Sequence, residues 1–179
     1  MKLIGIIFGI LLILLTTNAS AQIDRNIQYI SSIEIPIESI PFVAKEKFTK
    51  NNDSIKIGKI GESFMEWFGN KIETPTRINP VILYYGKLSN FLCDSIIVMW
   101  IGEEKIETNL QDIYFLMSKQ SHGNKGVLIT NGKSNVFHVR DKKNIMRTIY
   151  LCWYTGWYID SFPTDNVYWY KDTRIFYKK

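Results

Sequence analysis

The sequence predicts an α+β protein, with a largely antiparallel sheet of about six to eight strands and two short helices, about 63–71 and 109–120, packed on it. Several short segments alternate apolar and polar residues, which is the period of a β-strand. Two other segments combine a helix-start pattern with apolar residues at helical spacing. Strands and helices do not follow one another in a regular βαβ rhythm, which favours α+β over α/β.

The N-terminus reads as a secretory signal peptide, residues 1–21. Lys2 precedes an apolar run of about thirteen residues, and Ala19-Ser20-Ala21 is a small-x-small cleavage pattern. A membrane anchor is the alternative, but a spanning helix needs about twenty apolar residues. We therefore expect an exported protein, periplasmic or secreted, whose single globular domain is residues 22–179 and which has no transmembrane segment after cleavage.

Strands are predicted in the first half of the chain at 33–38, 54–60 and 81–88. Pro36 lies in the first of them, and proline has no amide for a ladder, so this strand belongs at an edge. The segment 39–50 is ambiguous and is compatible with a short helix.

Both helices are predicted from capping-box spacing. Ser63 and Glu66 begin the first, and Thr108 and Gln111 begin the second. The second helix has its apolar residues at i, i+3, i+4 and i+7, which defines one buried face.

Segment 95–101 is apolar on both faces and rich in β-branched residues, so we interpret it as a central strand covered on both sides. Segments 127–129 and 136–140 are predicted to pair as a hairpin. Asn131-Gly132 favours a two-residue turn, whereas a four-residue loop over 131–134 aligns the apolar residues better.

The last part of the chain is dominated by aromatic residues. Eleven of the 28 residues from Tyr150 to Tyr177 are Phe, Tyr or Trp, compared with 25 of 179 overall. Alternation over 148–160 predicts one long strand, a loop over 161–165 and a return strand in which Trp157 faces Trp169. A short final strand, 174–177, follows. This register keeps each face coherent, because a slip of one residue would mix them.

The net charge of the chain bears on which classes of function are expected. Removing Lys2 from the 22 basic residues leaves 21 against 17 acidic ones, a net charge of +4 without any long run of one sign. Neither this balance nor export favours nucleic-acid binding.

In an oxidising compartment Cys93 and Cys152 would form a disulfide that closes a loop of about 60 residues, worth about 4 kcal/mol. Two separate buried thiols are the alternative.

The sequence has no strong catalytic or metal-binding pattern. His122 and His138 lack the ligand spacing of a zinc site, and we expect His138 to be a strand residue with a polar neighbour. Cys152 with His138 and an aspartate (Asp141, Asp160 or Asp165) could be drawn as a nucleophilic set, but nothing nearby would activate the thiol. The carboxylates of Glu103, Glu104 and Glu107 lie around a predicted helix start, where acidic residues are common. No metal and no cofactor is expected.

Tyrosine supplies the one pattern that points toward function. In the predicted hairpin one face carries Tyr150, Tyr154, Tyr158, Tyr168 and Tyr170. Tyrosine combines an apolar ring with a polar tip, so such a face suits a partly wet interface. We expect a non-catalytic binding protein of the cell envelope whose partner is a protein, peptide or glycan. The alternatives are an envelope hydrolase, an immunity-type inhibitor of a secreted toxin, or burial of these rings in the core.

Overall fold

A computed structural model describes residues 26–165 and 167–179. The predicted signal peptide, residues 1–21, lies outside them. In chain order the elements are β1 (Ile27–Ile35), β2 (Phe42–Val43), α1 (Ala44–Lys47), β3 (Ile57–Ile60), α2 (Glu62–Phe68), β4 (Ile72–Glu73), β5 (Val81–Leu88), β6 (Leu92–Cys93), α3 (Asp94–Ile101), α4 (Glu103–Ile106), α5 (Leu110–Lys119), β7 (Asn135–Arg140), β8 (Met146–Trp153), β9 (Trp157–Pro163), β10 (Tyr168–Trp169) and β11 (Arg174–Tyr177). Within the described residues, no helix is both long and apolar enough to cross a membrane.

The fold is α+β, as predicted, but the main sheet is mixed. Its seven strands lie in the order β1-β5-β11-β7-β8-β9-β3. The pairs β11–β7 and β9–β3 are parallel, and the other neighbouring pairs are antiparallel. Two small two-stranded sheets, β10–β6 and β2–β4, are added to it. The expectation of a largely antiparallel sheet is therefore met only in part.

The two faces of the main sheet carry two separate hydrophobic cores. We call the face with the larger core the major face; there Phe137, Ile149 and Trp157 pack with residues of α1, α2 and α5. On the opposite, minor face, Val136 and Ile175 pack with residues of α3, α4 and β10. Successive side chains of a strand point to opposite faces, so Phe137 and Val136 belong to different cores although they are neighbours in sequence.

The predicted strand over 95–101 is wrong: these residues form helix α3. The buried residues Asp94, Ile97 and Ile101 recur at i, i+3 and i+7, which is helical spacing. Gly102 ends the helix at a φ of 90°, a conformation that favours glycine. The β-branched residues misled the prediction because packing of one helical face overrides local propensity.

The predicted aromatic hairpin is also wrong. Residues 148–160 do not form one strand: the chain turns at 154–156, and β8 pairs with β9, placing Trp153 opposite Trp157. Trp157 lies in the major core and Trp169 in the minor core, so the two indoles are on opposite sides of the sheet. A Cβ on Gly156 would lie 2.9 Å from the backbone nitrogen of Gly58, so glycine allows the turn to approach β3.

The predicted hairpin between 127–129 and 136–140 is wrong in its first strand. Side chains replace the expected ladder: Gln120 accepts the amide of Leu128 at 2.7 Å and donates to its carbonyl at 2.9 Å. Asn135 does the same for Ile129, at 2.8 and 2.9 Å. The loop therefore needs no strand partner, and β7 pairs with β8 and β11 instead.

The two predicted helices are present as α2 and α5, and three further helices, α1, α3 and α4, occur among the described residues. Neither helix uses the predicted cap. In α2, Asp160 accepts the amide of Phe64 at 3.2 Å. In α5, Glu73 accepts the amides of Leu110 and Gln111, each at 3.0 Å. Carboxylates distant in sequence thus accept amides at both helix starts, and in α5 Asn109 and Asp112 form a capping box one residue later than the predicted one.

Candidate functional site: an aromatic cleft on the minor face

The minor face is left uncovered at its β8–β9–β3 end, and a cleft of about 560 Å³ lies there. This volume is within the range of small-molecule sites. The residues that line it define what we call the tyrosine cleft: Gly58, Lys59, Tyr150, Tyr154, Thr155, Gly156 and Tyr158.

A chain of hydrogen bonds fixes the inner wall of the tyrosine cleft. The Tyr150 hydroxyl donates to the Tyr158 hydroxyl at 3.2 Å, and Tyr158 donates to Oδ2 of Asp160 at 3.1 Å. Oδ1 of Asp160 is held by the amides of Phe64 and Ser161. The carboxylate therefore cannot rotate freely, and both phenols keep defined positions.

Burial raises the pKa of both phenols and so keeps them neutral. Burial raises the pKa of Tyr150 well above its usual value, and the neighbouring Tyr158 and Asp160 raise it further. Burial likewise raises the pKa of Tyr158. The wall thus presents neutral hydroxyls, which can both donate and accept hydrogen bonds.

The outer wall of the cleft is exposed and carries one positive charge. Nζ of Lys59 lies 5.3 Å from the ring centre of Tyr158, within cation–π distance. The Tyr154 side chain is 65% exposed at the β8–β9 turn. The cleft therefore offers aromatic surface together with phenol and ammonium groups to a ligand.

The structure divides the five predicted tyrosines into two groups. Tyr150, Tyr154 and Tyr158 line the tyrosine cleft. Tyr168 and Tyr170 lie at a different, neighbouring cleft beside β10. The predicted hairpin that would have joined all five does not exist, because β10 pairs with β6 and not with β9.

A buried aspartate anchors the elements between these two groups. Asp94 accepts hydrogen bonds from Trp169 Nε1 at 2.7 Å, Thr148 Oγ1 at 2.5 Å and His138 Nε2 at 3.1 Å. Its side chain and that of His138 are fully buried. Trp169 in turn contacts Tyr150, with ring centres 5.9 Å apart. Asp94 thus ties α3 and β10 to the sheet directly beneath the aromatic surface.

The Cys152–His138 set drawn from the sequence is not assembled. His138 is a strand residue whose polar neighbour is Asp94, and its Nδ1 has no hydrogen-bond partner among the described residues. Cys152 Sγ lies 3.4 Å from Ser134 Oγ, and burial raises the pKa of the thiol. A raised pKa disfavours the nucleophilic thiolate.

The expected disulfide is absent: Cys93 and Cys152 are free thiols, of which Cys152 is buried and Cys93 only partly buried. Cys93 Sγ lies 3.2 Å from Ser95 Oγ. Cys93 is in the β6–β10 sheet, whereas Cys152 is in β8 of the main sheet.

The remaining candidate side chains, the glutamates and His122, make local contacts within the fold. Arg140 bridges Glu103 and Glu107, each at 3.1 Å, which neutralises two of the three carboxylates considered above. His122 lies within 3.0 Å of the hydroxyl of its neighbour Ser121. Across residues 26–165 and 167–179, no three His, Cys, Asp or Glu side chains gather as a metal site would need.

Sequence reasoning missed several residues of the cleft. Gly58 and Lys59 come from β3, which reaches the site through its parallel pairing with β9, about a hundred residues later in the chain. No local pattern indicates such a pairing. Phe91, which stacks on Tyr168 with ring centres 5.1 Å apart, was also missed; it follows a Ser-Asn break that indicates only a turn.

Comparison with known proteins gives no relative from which a function could be transferred: no protein-family model, curated protein or solved structure matches the chain.

Proposed function

We propose that this chain is an exported, non-catalytic binding protein of the cell envelope, and that its ligand binds in the tyrosine cleft. The observation that carries the proposal is the wall formed by Tyr150, Tyr158 and Asp160, which holds two neutral phenols in place at the edge of an open cleft. The expectation of export rests on the N-terminal sequence.

The groups in the cleft suit binding better than bond cleavage. Asp160 is committed to two backbone amides and one phenol, so it is held as an acceptor and has little freedom to move a proton. Tyrosine rings contribute large contact area at low conformational cost, which is why they are frequent at binding surfaces. The ligand classes that fit are those expected from the sequence: a glycan, a peptide or a segment of a protein.

Arrays of glycans and peptides probed with the purified protein test this proposal. Tyr154→Ala should lower the affinity for the retained ligand by about tenfold or more, because loss of a hot-spot aromatic ring costs about 2 kcal/mol or more and about 1.4 kcal/mol is tenfold. Tyr29→Ala is the matched control: Tyr29 is 55% exposed and lies on β1, at the opposite end of the sheet. An equal loss of affinity in Tyr154→Ala and Tyr29→Ala, or no loss of affinity in either variant, would refute the assignment of the ligand site to the tyrosine cleft.

A further inference from the structure

A second cleft of about 540 Å³ lies beside the first. Its walls are Gly132, Lys133 and Ser134 on one side and residues 168–173 on the other. Phe91 stacks on Tyr168, with ring planes 7° apart, and contacts Tyr170 at 5.3 Å between ring centres. The side chains of all three are more than half exposed, at 55%, 53% and 75% in the order Phe91, Tyr168 and Tyr170.

The backbone beneath this aromatic cluster is anchored to buried residues, although the rings themselves face solvent. The β10–β6 pairing places Tyr168 opposite Cys93, and Trp169, 6% exposed, is hydrogen-bonded to the buried Asp94. An ion pair between Lys133 and Asp172, at 2.6 Å, joins the two walls. A surface that is already ordered loses little conformational entropy on binding. Exposed rings held this firmly are typical of a binding surface.

The two clefts adjoin each other. A Cβ on Gly132, in the second cleft, would lie 3.7 Å from the ring of Tyr154, in the first. At the base, Tyr150 of the first cleft contacts Trp169 of the second. Tyr154 therefore stands where the clefts meet, and a chain-like ligand could pass from one to the other along the same face.

We propose that the two clefts form one continuous track for an extended, uncharged glycan chain, an inference that rests on the proposed function of the tyrosine cleft. Pyranose rings have apolar C–H faces that pack on exposed aromatic rings, and hydroxyl edges that bond to phenol, ammonium and carboxylate groups. Few charged residues line the clefts: Lys59 in the first, and Lys133, Lys171 and Asp172 in the second, where Lys133 and Asp172 form an ion pair. Aromatic and hydroxyl side chains make up more of the lining than charged ones do, which suits an uncharged chain.

The chemistry also distinguishes a glycan from a peptide. A peptide strand is commonly recognised by adding to a free sheet edge through backbone hydrogen bonds. Here the track is lined by the exposed rings of Tyr154, Tyr168 and Tyr170 and by the half-buried ring of Tyr158, and the exposed ring of Phe91 stacks on Tyr168. A row of aromatic ring faces is complementary to a chain of pyranose rings.

The test uses uncharged linear oligosaccharides, β-1,4-linked glucose and β-1,4-linked N-acetylglucosamine, in lengths from the disaccharide upward, with calorimetry on the full chain. Affinity should rise with length until both clefts are occupied and then level off. Tyr170→Ala should lower the affinity for the longer oligosaccharides by about tenfold. Tyr170→Phe, which keeps the ring, should retain most of that affinity. Tyr154→Ala should weaken ligands of every length, and Tyr29→Ala should change neither affinity nor the gain.

The outcomes separate this inference from the proposed function. Affinity that is independent of length but sensitive to Tyr154→Ala overturns the continuous track and leaves the tyrosine cleft as the site. Binding of peptides alone, or of no oligosaccharide, overturns the glycan assignment. Insensitivity of every ligand to Tyr154→Ala overturns both.

Discussion

Removing the Asp94 carboxylate is expected to destabilise the fold more than any surface change near the clefts. In Asp94→Ala three buried donors lose their acceptor at once: the Trp169 indole N–H, the Thr148 hydroxyl and His138 Nε2–H. Each buried polar group left without a partner costs about 1–3 kcal/mol.

The total is smaller than the sum of three such losses, because neighbouring groups share one cavity and can rearrange. We therefore expect Asp94→Ala to lower the free energy of unfolding by about 3–5 kcal/mol. Asp94→Asn should cost less, because the amide keeps one acceptor oxygen.

Urea unfolding followed by tryptophan fluorescence measures this, since Trp169 reports on the site directly. The expected signature is a lower midpoint with an unchanged slope, which marks a loss of stability and not a change in the unfolded state. Met99→Ala is the control: Met99 is 69% exposed on the same helix, and its loss should stay within about 0.5 kcal/mol. A cost below about 1 kcal/mol for Asp94→Ala would refute the view that this carboxylate anchors α3 and β10.

Three further predictions concern the turn, the phenols and the loop before β7. Gly156→Ala forces a Cβ against the β3 backbone and should cost about 1–3 kcal/mol in urea unfolding; an unchanged midpoint would contradict the packing. Burial raises the pKa of Tyr150, so the unfolded chain ionises first and stability should fall as pH rises beyond about 10. Urea midpoints measured at increasing pH should fall less steeply in Tyr150→Phe than in the unchanged protein. An equal dependence on pH in the two proteins would argue against a raised pKa of Tyr150. Gln120→Leu leaves the amide and carbonyl of Leu128 without partners and should lower the free energy of unfolding by about 2–4 kcal/mol. An unchanged melting temperature in calorimetry would exclude a stabilising role for these two hydrogen bonds.

Some elements could be predicted because local pattern and tertiary context agree. Strands β5 (Val81–Leu88) and β11 (Arg174–Tyr177) match the predicted bounds, and α5 (Leu110–Lys119) lies within one residue of them. In α5 the apolar spacing that defines the buried face is also the spacing that packs on the sheet.

Other elements could not be predicted, because distant parts of the chain decide them. Helix α3 is rich in strand-forming residues, but it is fixed by Asp94 binding to side chains from β7, β8 and β10. The break at 154–156 depends on close approach to β3, which lies about a hundred residues earlier. Local alternation contains no information on either contact.

The prediction that the five tyrosines share one face was partly correct, and their role in binding stays a prediction. Tyr150 and Tyr158 do share a face, but through the β8–β9 pairing and not as members of one long strand over 148–160. Alternation along each strand correctly indicates which side chains lie on one face. It cannot indicate which strands are neighbours.

Ring resonances of isotopically labelled tyrosine, followed by NMR during titration with a β-1,4-linked oligosaccharide, test the central claim most directly. If the tyrosine cleft is the binding site, the signals of Tyr150, Tyr154 and Tyr158 shift together with one dissociation constant, while that of Tyr29 stays fixed. Saturable binding with shifts confined to Tyr29, or to residues outside the cleft, would contradict it.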